Sequence, residues 1–408
     1  MLALRLASSS RSGVRHWSAF TWLSRGLTET VSPKTGRLKP NLHRLPESEW
    51  ILVEEGIPGP GALRNFAEAR EMLRRKHETF ESPDREKYLL QMPGSSEAQA
   101  EVLEMLLEYL PRRYPNCFRI SHGSVKFGPD TVVTTSAHDW HAEYRVGDFA
   151  KCPIELASRL VCEDLVVLQD GVVCAGSVMF SFSNFHKRFG MDMNQLHAKV
   201  PQYGADLEKP VNRIFASLSP DRPLCRSNWN ISWSDDIMAG YSRYPHRNPG
   251  ISAREREASL TRLRQAVLTH GLADSAWLKV EYQTLRRLRQ NSSCILFTIR
   301  TFLNSFADLS SEPSAAGNLL LNLQQLHGRE FSQYLGIDDP GIYTLVEAFV
   351  KDASSPTTKE VLTSRSGNDL PSGSAVTSVM DNPQLMWRPF TPRGPSLLPV
   401  FARLPAEP

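Results

Sequence analysis

The sequence lacks the patterns that mark several common classes of protein. Its six cysteines include no C-x-x-C pair, which argues against a zinc ribbon and a thioredoxin-like redox motif. No apolar run reaches the length of about 18 residues that a transmembrane helix needs. The net charge is only +3, so charge predicts neither nucleic-acid binding nor attachment to a membrane surface. The sequence also contains no G-x-G-x-x-G motif and no ferredoxin-type cysteine spacing, and so no reductase signature of its own.

Acidic residues are missing from the first 28 positions, where arginines alternate with serines and leucines. This composition is typical of an organelle transit peptide, and a basic disordered tail is the alternative. We therefore predict that residues 1–28 are a removable targeting segment. The predicted destination is the mitochondrion, with a plastid as the alternative, and the protein stays cytosolic if this segment is not a transit peptide.

The remaining chain divides by composition. A length of 408 residues fits one large domain or two ordinary ones. Residues 29–61 are rich in proline and glycine, which predicts a surface arm. Residues 62–350 contain the apolar segments and are expected to form a single α+β domain. Residues 351–408 are rich in Ser, Thr, Gly and Pro, a composition typical of a disordered tail.

Apolar spacing predicts the main elements of the 62–350 domain. Helices are expected at about 62–80, 96–110, 211–218, 254–268 and 318–334, and Pro111 is expected to end the second of them. Asp170-Gly171 stands between two runs rich in Val and Leu, which predicts a hairpin of strands at 164–169 and 172–182. Residues 276–288 predict a strand, while 294–302 fit a strand or a helix.

Polar residues inside apolar segments are the candidates for a functional site. Glu281 and Arg287 lie where their neighbours indicate burial, and a buried ion needs a partner or a ligand. For Glu281 the structural alternative is a salt bridge to Arg287 or Arg300. For Arg226 the alternative is a surface or packing role.

The histidines allow several interpretations. His197 stands in a turn-rich segment together with His186, and such segments often carry function. A lone histidine is most often a surface or core residue. Zinc would need further ligands, and the H-x-x-H pair of His138 and His141 is expected in a loop. A haem needs only one protein imidazole, which His197 could supply.

Five short motifs follow one another along the chain. They are Arg113-Tyr114-Pro115; Glu163-Asp164-Leu165; Phe189-Gly190 with Leu196-His197-Ala-Lys-Val-Pro201; Arg226-Ser-Asn228-Trp229; and Leu278-Lys-Val-Glu281-Tyr-Gln283 with Phe297-Thr-Ile-Arg300-Thr-Phe302. In this order they resemble the pattern of the haem-dependent oxidative N-demethylases, a family typified by the haem subunit of dimethylamine monooxygenase. The resemblance covers about residues 40–340. The chain departs from the pattern at Lys199, Lys279, Tyr282 and Arg289, and Tyr282 is expected to remove a cation beside Glu281.

The resemblance implies a PAS-like fold, in which an antiparallel sheet flanked by helices holds a haem b. The absence of a C-x-x-C-H motif implies that this haem is bound non-covalently. The resemblance further implies that His197 ligates the iron and that Arg226 and Arg287 pair with the haem propionates. It implies Glu281 and Tyr282 as catalytic residues.

The implied activity is oxidative N-demethylation of a small, dimethylamine-like alkylamine with O2, releasing formaldehyde. Electrons are expected from a separate NADPH-dependent flavin and iron–sulfur reductase. The alternative is a non-catalytic PAS-like haem or small-molecule sensor. Tyr282 favours the sensor, whereas Glu281 and His197 favour the enzyme. Neither a nucleic-acid partner nor a membrane span is expected.

Overall fold

Two antiparallel sheets organise the described part of the chain. The computed structural model describes residues 17–26, 31–32, 34–54, 63–182, 184–238, 244, 250–326 and 331–355. Its strands are β1 (His43–Arg44), β2 (Leu89–Gln91), β3 (Phe118–Ser121), β4 (Val132–Thr135), β5 (Ala142–Arg145), β6 (Asp164–Gln169), β7 (Val172–Ser177), β8 (Leu224–Ser232), β9 (Trp277–Arg287) and β10 (Cys294–Ser305). The large sheet has the order β1-β8-β9-β10-β6-β7-β2, and the small sheet the order β3-β4-β5.

Helices surround the large sheet. They are α1 (Ala19–Ser24), α2 (Leu63–Phe80), α3 (Arg85–Tyr88), α4 (Ser96–Arg113), α5 (Pro153–Leu160), α6 (Phe185–Arg188), α7 (Met193–His197), α8 (Glu208–Ser217), α9 (Ala253–Ser275), α10 (Phe306–Leu309), α11 (Pro313–Leu326), α12 (Phe331–Leu335) and α13 (Pro340–Ala353). Antiparallel sheets with helices packed around them confirm the α+β class. A PAS-like arrangement within that class stays a prediction. In the ranges described, no helix combines the length and apolarity needed to cross a bilayer.

The centre of the large sheet is the β9–β10 hairpin. Its two strands pair from Trp277 with Ser305 to Arg287 with Ile295, so the segment that fitted either a strand or a helix is a strand. The turn between the strands is held by the carboxylate of Glu101 on α4, which accepts hydrogen bonds from the backbone N–H groups of residues 289–291 at 2.6–3.0 Å. A buried carboxylate thus replaces the hydrogen bonds that the turn cannot make within itself.

The predicted β6–β7 hairpin is present, but its second strand is shorter than expected. Strand β6 spans Asp164–Gln169, as predicted, whereas β7 ends at Ser177 rather than at residue 182. The backbone N–H groups of Met179, Phe180 and Ser181 bind the Asp164 carboxylate instead of a neighbouring strand. These hydrogen bonds to Asp164 turn the chain away from the sheet.

The predicted helices are present with shifted ends, except that the predicted helix at 318–334 corresponds to two helices, α11 and α12. Helix α4 continues two residues past Pro111 and ends at Arg113, so the expectation that this proline ends the helix is wrong. The predicted helix at 254–268 runs on as α9 to Ser275, with a break at Gly271, whose φ of 75° leaves the helical region. The sequence analysis missed α1, α13 and the whole small sheet.

Alternate residues of the central strands define two faces of the large sheet, because successive side chains of a strand point to opposite sides. The front face, as we call it, carries Arg226 and Asn228 of β8, Glu281 and Gln283 of β9, and Thr301 of β10, which the strand register places side by side. The back face carries the intervening residues and joins the main apolar core with α1, α4 and α5. The front face contributes to two small apolar clusters, one around Val166, Leu168 and Phe185 and one around Leu218, Leu285 and Ile295.

Residues 17–26 belong to the core, which corrects the expectation that residues 1–28 can be removed without structural effect. Trp22 is fully buried and stacks on Tyr282 with ring centroids 3.8 Å apart. The backbone N–H of Ala19 donates to the Asn304 side chain at 2.9 Å, and the Asn318 side chain donates to the carbonyl of Leu23 at 2.8 Å. Residues 1–16 and 27–28 lie outside the described residues, so a targeting role for them stays a prediction.

The predicted surface arm at 29–61 also differs from expectation. Trp50, Ile51, Leu52 and Val53 are buried and are held by side chains of the main domain. The Glu163 carboxylate accepts a hydrogen bond from the backbone of Leu52 at 2.9 Å. At the other end of the chain, the predicted tail lies outside the described residues from 356 onward.

Candidate functional site

His197 is presented by a short, well-capped helix. The Asp192 carboxylate accepts hydrogen bonds from the backbone N–H groups of Asn194 and Gln195 at 2.8 and 2.9 Å, and the Gln195 side chain returns one to the Asp192 N–H. At the last residue of α7, His197 places its Nδ1 2.7 Å from the carbonyl oxygen of Met193. A carbonyl can only accept, so Nδ1 carries the proton and Nε2 carries the lone pair.

The surroundings of His197 favour the neutral imidazole. Burial lowers the pKa of His197, the hydrogen bond to Met193 opposes that shift, and the nearby Arg226 cation lowers the pKa further. The ring also stacks on Tyr203, with centroids 5.0 Å apart and planes 12° from parallel. Since only a neutral imidazole can ligate a metal, this histidine has the state that iron ligation requires.

Arg226 lies on the front face within electrostatic reach of His197. Strand pairing places it opposite Gln283. Its Nε is buried and has no hydrogen-bond partner within the described chain. Burial lowers the pKa of Arg226, with Tyr334 and Glu281 opposing that shift. A buried guanidinium donor without an acceptor is unfavourable, and an anionic ligand such as a propionate would satisfy it.

Glu281 stands one position along the front face, opposite Asn228 on β8 and Thr301 on β10. Its side chain is 9% exposed, and it accepts a hydrogen bond from the Gln283 amide at 3.2 Å. Burial raises the pKa of Glu281, and Lys279 opposes the shift. The carboxyl group therefore stands in a setting that disfavours its charge, where a cationic ligand would be stabilising.

The salt-bridge alternative for Glu281 does not match the geometry. Arg300 pairs across the hairpin with Tyr282 and so lies on the back face. Arg287 lies on the front face, but its guanidinium donates to the backbone carbonyls of Phe215, Leu218 and Ser292. Neither arginine is therefore the structural partner that the sequence analysis considered.

The same contacts bear on the predicted haem-binding role of Arg287. The bond from its Nε to the Leu218 carbonyl is 2.6 Å long, and both terminal nitrogens also bind backbone oxygens. Arg287 thus fastens the end of α8 to the central hairpin. The structure brings His197, Arg226 and Glu281 within mutual electrostatic reach and gives Arg287 a separate anchoring position.

Tyr282 does not join this group, because it neighbours Glu281 in sequence but points to the back face. Its ring stacks on Trp22, its side chain is 1% exposed, and burial raises the pKa of its hydroxyl. We therefore assign Tyr282 to packing rather than to catalysis. The expectation that Tyr282 removes a cation beside Glu281 is corrected for the same reason, since the two side chains are separated by the sheet.

The structure adds two residues that the sequence analysis did not single out for the site. Lys279 lies on the front face, and its Nζ donates to the carbonyls of Phe180 and Ser181 at 2.8 and 3.1 Å. Asp164 accepts hydrogen bonds from three backbone N–H groups and the Ser181 hydroxyl of the same segment. Lys279 and Asp164 thus hold residues 179–181 from both sides, next to Glu281. The signal for Lys279 in the sequence was its two-residue spacing from Glu281, which is repeated between Glu281 and Gln283.

Among the described residues, the other histidines and tryptophans considered in the sequence show no second site. His138 is buried with a φ of 53°, and burial lowers its pKa to about 3. His141 is exposed and pairs with Asp139 at 3.3 Å. In the described part of the chain, no three His, Cys, Asp or Glu side chains are grouped as a metal site. Trp229 and Trp233 are buried core residues.

Helix α8 supports a ligand on the front-face side. Its apolar residues Val211, Ile214 and Phe215 are only half-buried, although an amphipathic helix normally buries its apolar side. Phe215 contacts both small front-face clusters. Two surface cavities lie elsewhere, near Glu47 and near His122. The imidazole lone pair, the buried guanidinium and this apolar wall together fit a haem, whose ring is apolar and whose propionates are anionic.

A comparison with known protein families agrees with this geometry. The family described as haem-dependent oxidative N-demethylase, alpha subunit-like, matches residues 64–341 of the chain. The match spans about two thirds of the sequence and includes every front-face residue described above. The N-terminal residues 17–54 lie outside the matched range.

Proposed function

The chain belongs to the haem-dependent oxidative N-demethylase family, alpha subunit-like, and we propose that it removes a methyl group from a small, dimethylamine-like alkylamine. The observation that carries the proposal is the grouping of His197, Arg226 and Glu281 on one side of the sheet. Arg226 acts electrostatically on both of the others. A ligand for iron, a partner for an anion and a partner for a cation are thus present together.

The proposed reaction balances as a monooxygenation. The N–CH3 bond is broken, the nitrogen gains a hydrogen in place of the methyl group, and the carbon leaves as formaldehyde. One O2 supplies an oxygen atom to formaldehyde and one to water, and two electrons and two protons are consumed. Haem supplies the binding and activation of O2 in such chemistry.

Each front-face residue has a role that its surroundings support. His197 would hold the iron through Nε2, because its Nδ1 is already bound to Met193. Arg226 would neutralise a propionate. Glu281 would bind the ammonium form of the amine and accept its proton, since burial raises the pKa of this carboxyl group and makes it a better proton acceptor. Lys279 and Asp164 would hold the 179–181 segment beside the bound amine.

We further propose that the haem is a non-covalently bound haem b and that the electrons come from a separate NADPH-dependent flavin and iron–sulfur protein. The motif search supports the second point, because the sequence carries neither a dinucleotide-binding nor a ferredoxin signature. Mitochondrial targeting by the arginine-rich residues before Trp17 completes the proposal. Fusing residues 1–16 to a reporter and imaging its location tests that last part, and a cytosolic reporter would contradict it.

Haem binding is tested by titrating the purified protein with hemin and following the Soret band. We expect one hemin per chain, with a His197→Ala variant losing the band or shifting it strongly. His186→Ala is the matched control, because His186 lies in the same segment but is exposed. Unchanged binding by His197→Ala would assign the iron ligand to another residue.

Demethylation is tested with a chemical reductant, which removes the need for the partner protein. The hemin-loaded protein is reduced with dithionite, freed of excess reductant, and mixed with O2 and dimethylamine. We expect up to one formaldehyde for every two reduced haems, because each haem supplies one of the two electrons consumed, and none without the amine. A haem protein that shows neither a dimethylamine-induced spectral change nor formaldehyde would favour the sensor alternative.

A further inference from the structure

Tyr203 stands out among the residues near the front face because it contacts the His197 ring directly. The phenol ring is buried, with 4% of its surface exposed, and it lies nearly parallel to the imidazole at 5.0 Å. The Tyr203 hydroxyl donates to the side-chain oxygen of Asn194 at 3.3 Å. Tyr203 thus touches α7 at two places, the end that carries His197 and the beginning that carries Asn194.

The backbone between His197 and Tyr203 forms two successive turns that bring the two rings together. The N–H of Val200 donates to the carbonyl of His197 at 2.8 Å, and the N–H of Tyr203 donates to the carbonyl of Val200 at 3.1 Å. Gln202 then adopts a left-handed conformation with a φ of 59°, which is unfavourable for a residue with a side chain. A π-helical turn begins at Tyr203, and such turns are frequent at functional sites.

We propose that Tyr203 is a positioning residue that fixes the ring plane of His197, while the Met193 carbonyl fixes its tautomer, so that Nε2 is presented in one orientation. The inference rests on the proposed role of His197 as the iron ligand. Stacking restricts rotation of the imidazole about its Cβ–Cγ bond, and the Nδ1 hydrogen bond restricts it in the same sense. Two independent contacts therefore order a ligand that stands at the end of a five-residue helix.

The partner of Nδ1 has a further consequence for the iron. A carboxylate at this position would give the imidazole anionic character and make it a stronger electron donor. His197 is bound to a neutral backbone carbonyl instead, so the ligand stays a neutral imidazole. When haem is bound, a weaker donor would favour the reduced state of the iron, and Tyr203 would preserve this by keeping Nδ1 directed at the Met193 carbonyl.

The test compares Tyr203→Leu, which removes the stack, with Tyr203→Phe, which keeps it. The matched control is Tyr282→Leu, which removes an equally buried tyrosine stacked on Trp22 at the back of the sheet. Three measurements are made: the ring-current shift of the His197 ring protons in the haem-free protein by NMR, the hemin affinity, and the iron–histidine stretching band of the reduced haem by resonance Raman spectroscopy.

We expect Tyr203→Leu to lose the ring-current shift, to broaden or move the iron–histidine band, and to weaken hemin binding by about tenfold, which is the scale of one aromatic contact. Tyr203→Phe should restore all three. The Tyr282→Leu control should lower stability while its folded fraction keeps the wild-type band. An unchanged band and affinity in folded Tyr203→Leu would overturn the proposal.

The proposed function and this inference fail in distinguishable ways. If the unmodified protein bound no hemin, the role of His197 as an iron ligand would be refuted. A ring-current shift that Tyr203→Leu abolishes would then still support the positioning of the imidazole by Tyr203. If hemin bound through His197 but the haem-free protein showed no such shift, the positioning would be refuted and the proposed function would stand.

Discussion

The front and back faces of the large sheet are built from alternate residues of the same strands, but the polar side chains on the two faces have different surroundings. On the back face, Glu163 binds the backbone of the 50–53 segment, and Lys76 of α2 donates to three backbone carbonyls at the end of α5. Protein groups thus bind Glu163 Oε1 and the Lys76 ammonium, although Glu163 Oε2 and Arg300 Nε are buried without a hydrogen-bond partner among the described residues. On the front face, the buried Nε of Arg226 likewise has no partner among the described residues, and burial raises the pKa of Glu281 as it raises that of Glu163. The faces differ in exposure, because the front-face residues of β8 are only half-buried whereas the intervening back-face residues are buried.

This difference separates stabilising residues from ligand-binding residues within single motifs. Glu163 and Asp164 are neighbours, but one holds the N-terminal segment behind the sheet and the other holds residues 179–181 in front of it. Glu281 and Tyr282 divide in the same way. A motif that runs along a strand therefore combines two functions. Only every second residue, whose side chain points to the front face, is a candidate for chemistry.

The largest expected effect comes from removing the helix that covers the back face. Deleting residues 1–26 removes four large buried side chains, those of Trp17, Phe20, Trp22 and Leu23. Each contributes about 1.5–3 kcal/mol by burial, so the sum approaches the whole stability of a typical domain, about 5–15 kcal/mol. We expect an insoluble or unfolded product, measured by soluble yield and urea denaturation.

Deleting only residues 1–16 is the matched control, and it should leave the midpoint of unfolding unchanged. Trp22→Ala is the milder variant and should cost about 3–5 kcal/mol. If the chain without residues 1–26 melted like the full chain, the helix would be dispensable and the removable segment would extend to residue 28, as the composition first indicated.

The second prediction exchanges one arginine on each face for an uncharged residue of similar length. Arg300 is 3% exposed beside the buried Glu163, so Arg300→Met leaves a buried carboxylate uncompensated and should cost about 3–5 kcal/mol of stability. Arg226→Met removes a cation whose pKa burial lowers, so the haem-free protein should be at least as stable as the wild type.

Hemin affinity should change in the opposite pattern. Arg226→Met should weaken hemin binding by about 10- to 100-fold, as expected for a charge-assisted hydrogen bond, whereas folded Arg300→Met should bind hemin normally. Urea denaturation and hemin titration of both variants measure the two effects. A stability loss confined to Arg226→Met would show that the two faces do not differ as described.

The sequence predicted the strands better than the side to which their residues point. The β6 strand and the first strand of the central hairpin follow from local apolar runs and turn signals, whereas the apolar run of the second strand fitted a helix equally well. The role of Tyr282 could not be predicted, because it depends on Trp22, which is distant in sequence and packs on it only in the fold. The burial of residues 17–26 was missed because a segment rich in arginine and serine has the composition of a leader, whereas its few aromatic residues determine its packing.

The third prediction concerns Glu101, a carboxylate that protein groups satisfy fully. Burial raises its pKa, but hydrogen bonds from Gln290, Asn291 and Arg289 outweigh this effect and leave the pKa lowered. A lowered pKa in the folded state means that the stabilisation is present above the unfolded pKa of about 4.3 and is lost as the pH falls through the folded value.

Glu101→Gln should therefore cost about 1.5 kcal/mol at neutral pH, the low end for hydrogen bonds to a charged group, because solvent near the turn screens the site. The difference from the wild type should shrink below about pH 4. Urea denaturation at both pH values measures it. A difference that stays constant with pH would mean that the carboxylate charge does not hold the turn.

The smallest change in stability is expected for Glu281→Gln, the same chemical substitution on the front face. Burial raises the pKa of Glu281, so its contribution to stability is present below the unfolded pKa and is lost as the pH rises through the folded value. At neutral pH the wild type therefore bears a penalty that glutamine lacks. The variant should be equal or more stable, by less than about 1 kcal/mol, while hemin-loaded Glu281→Gln should lose its spectral response to dimethylamine, because the ammonium loses its counter-ion. A destabilisation of about 3–5 kcal/mol with an intact amine response would instead make Glu281 a structural ion partner and leave the two faces alike.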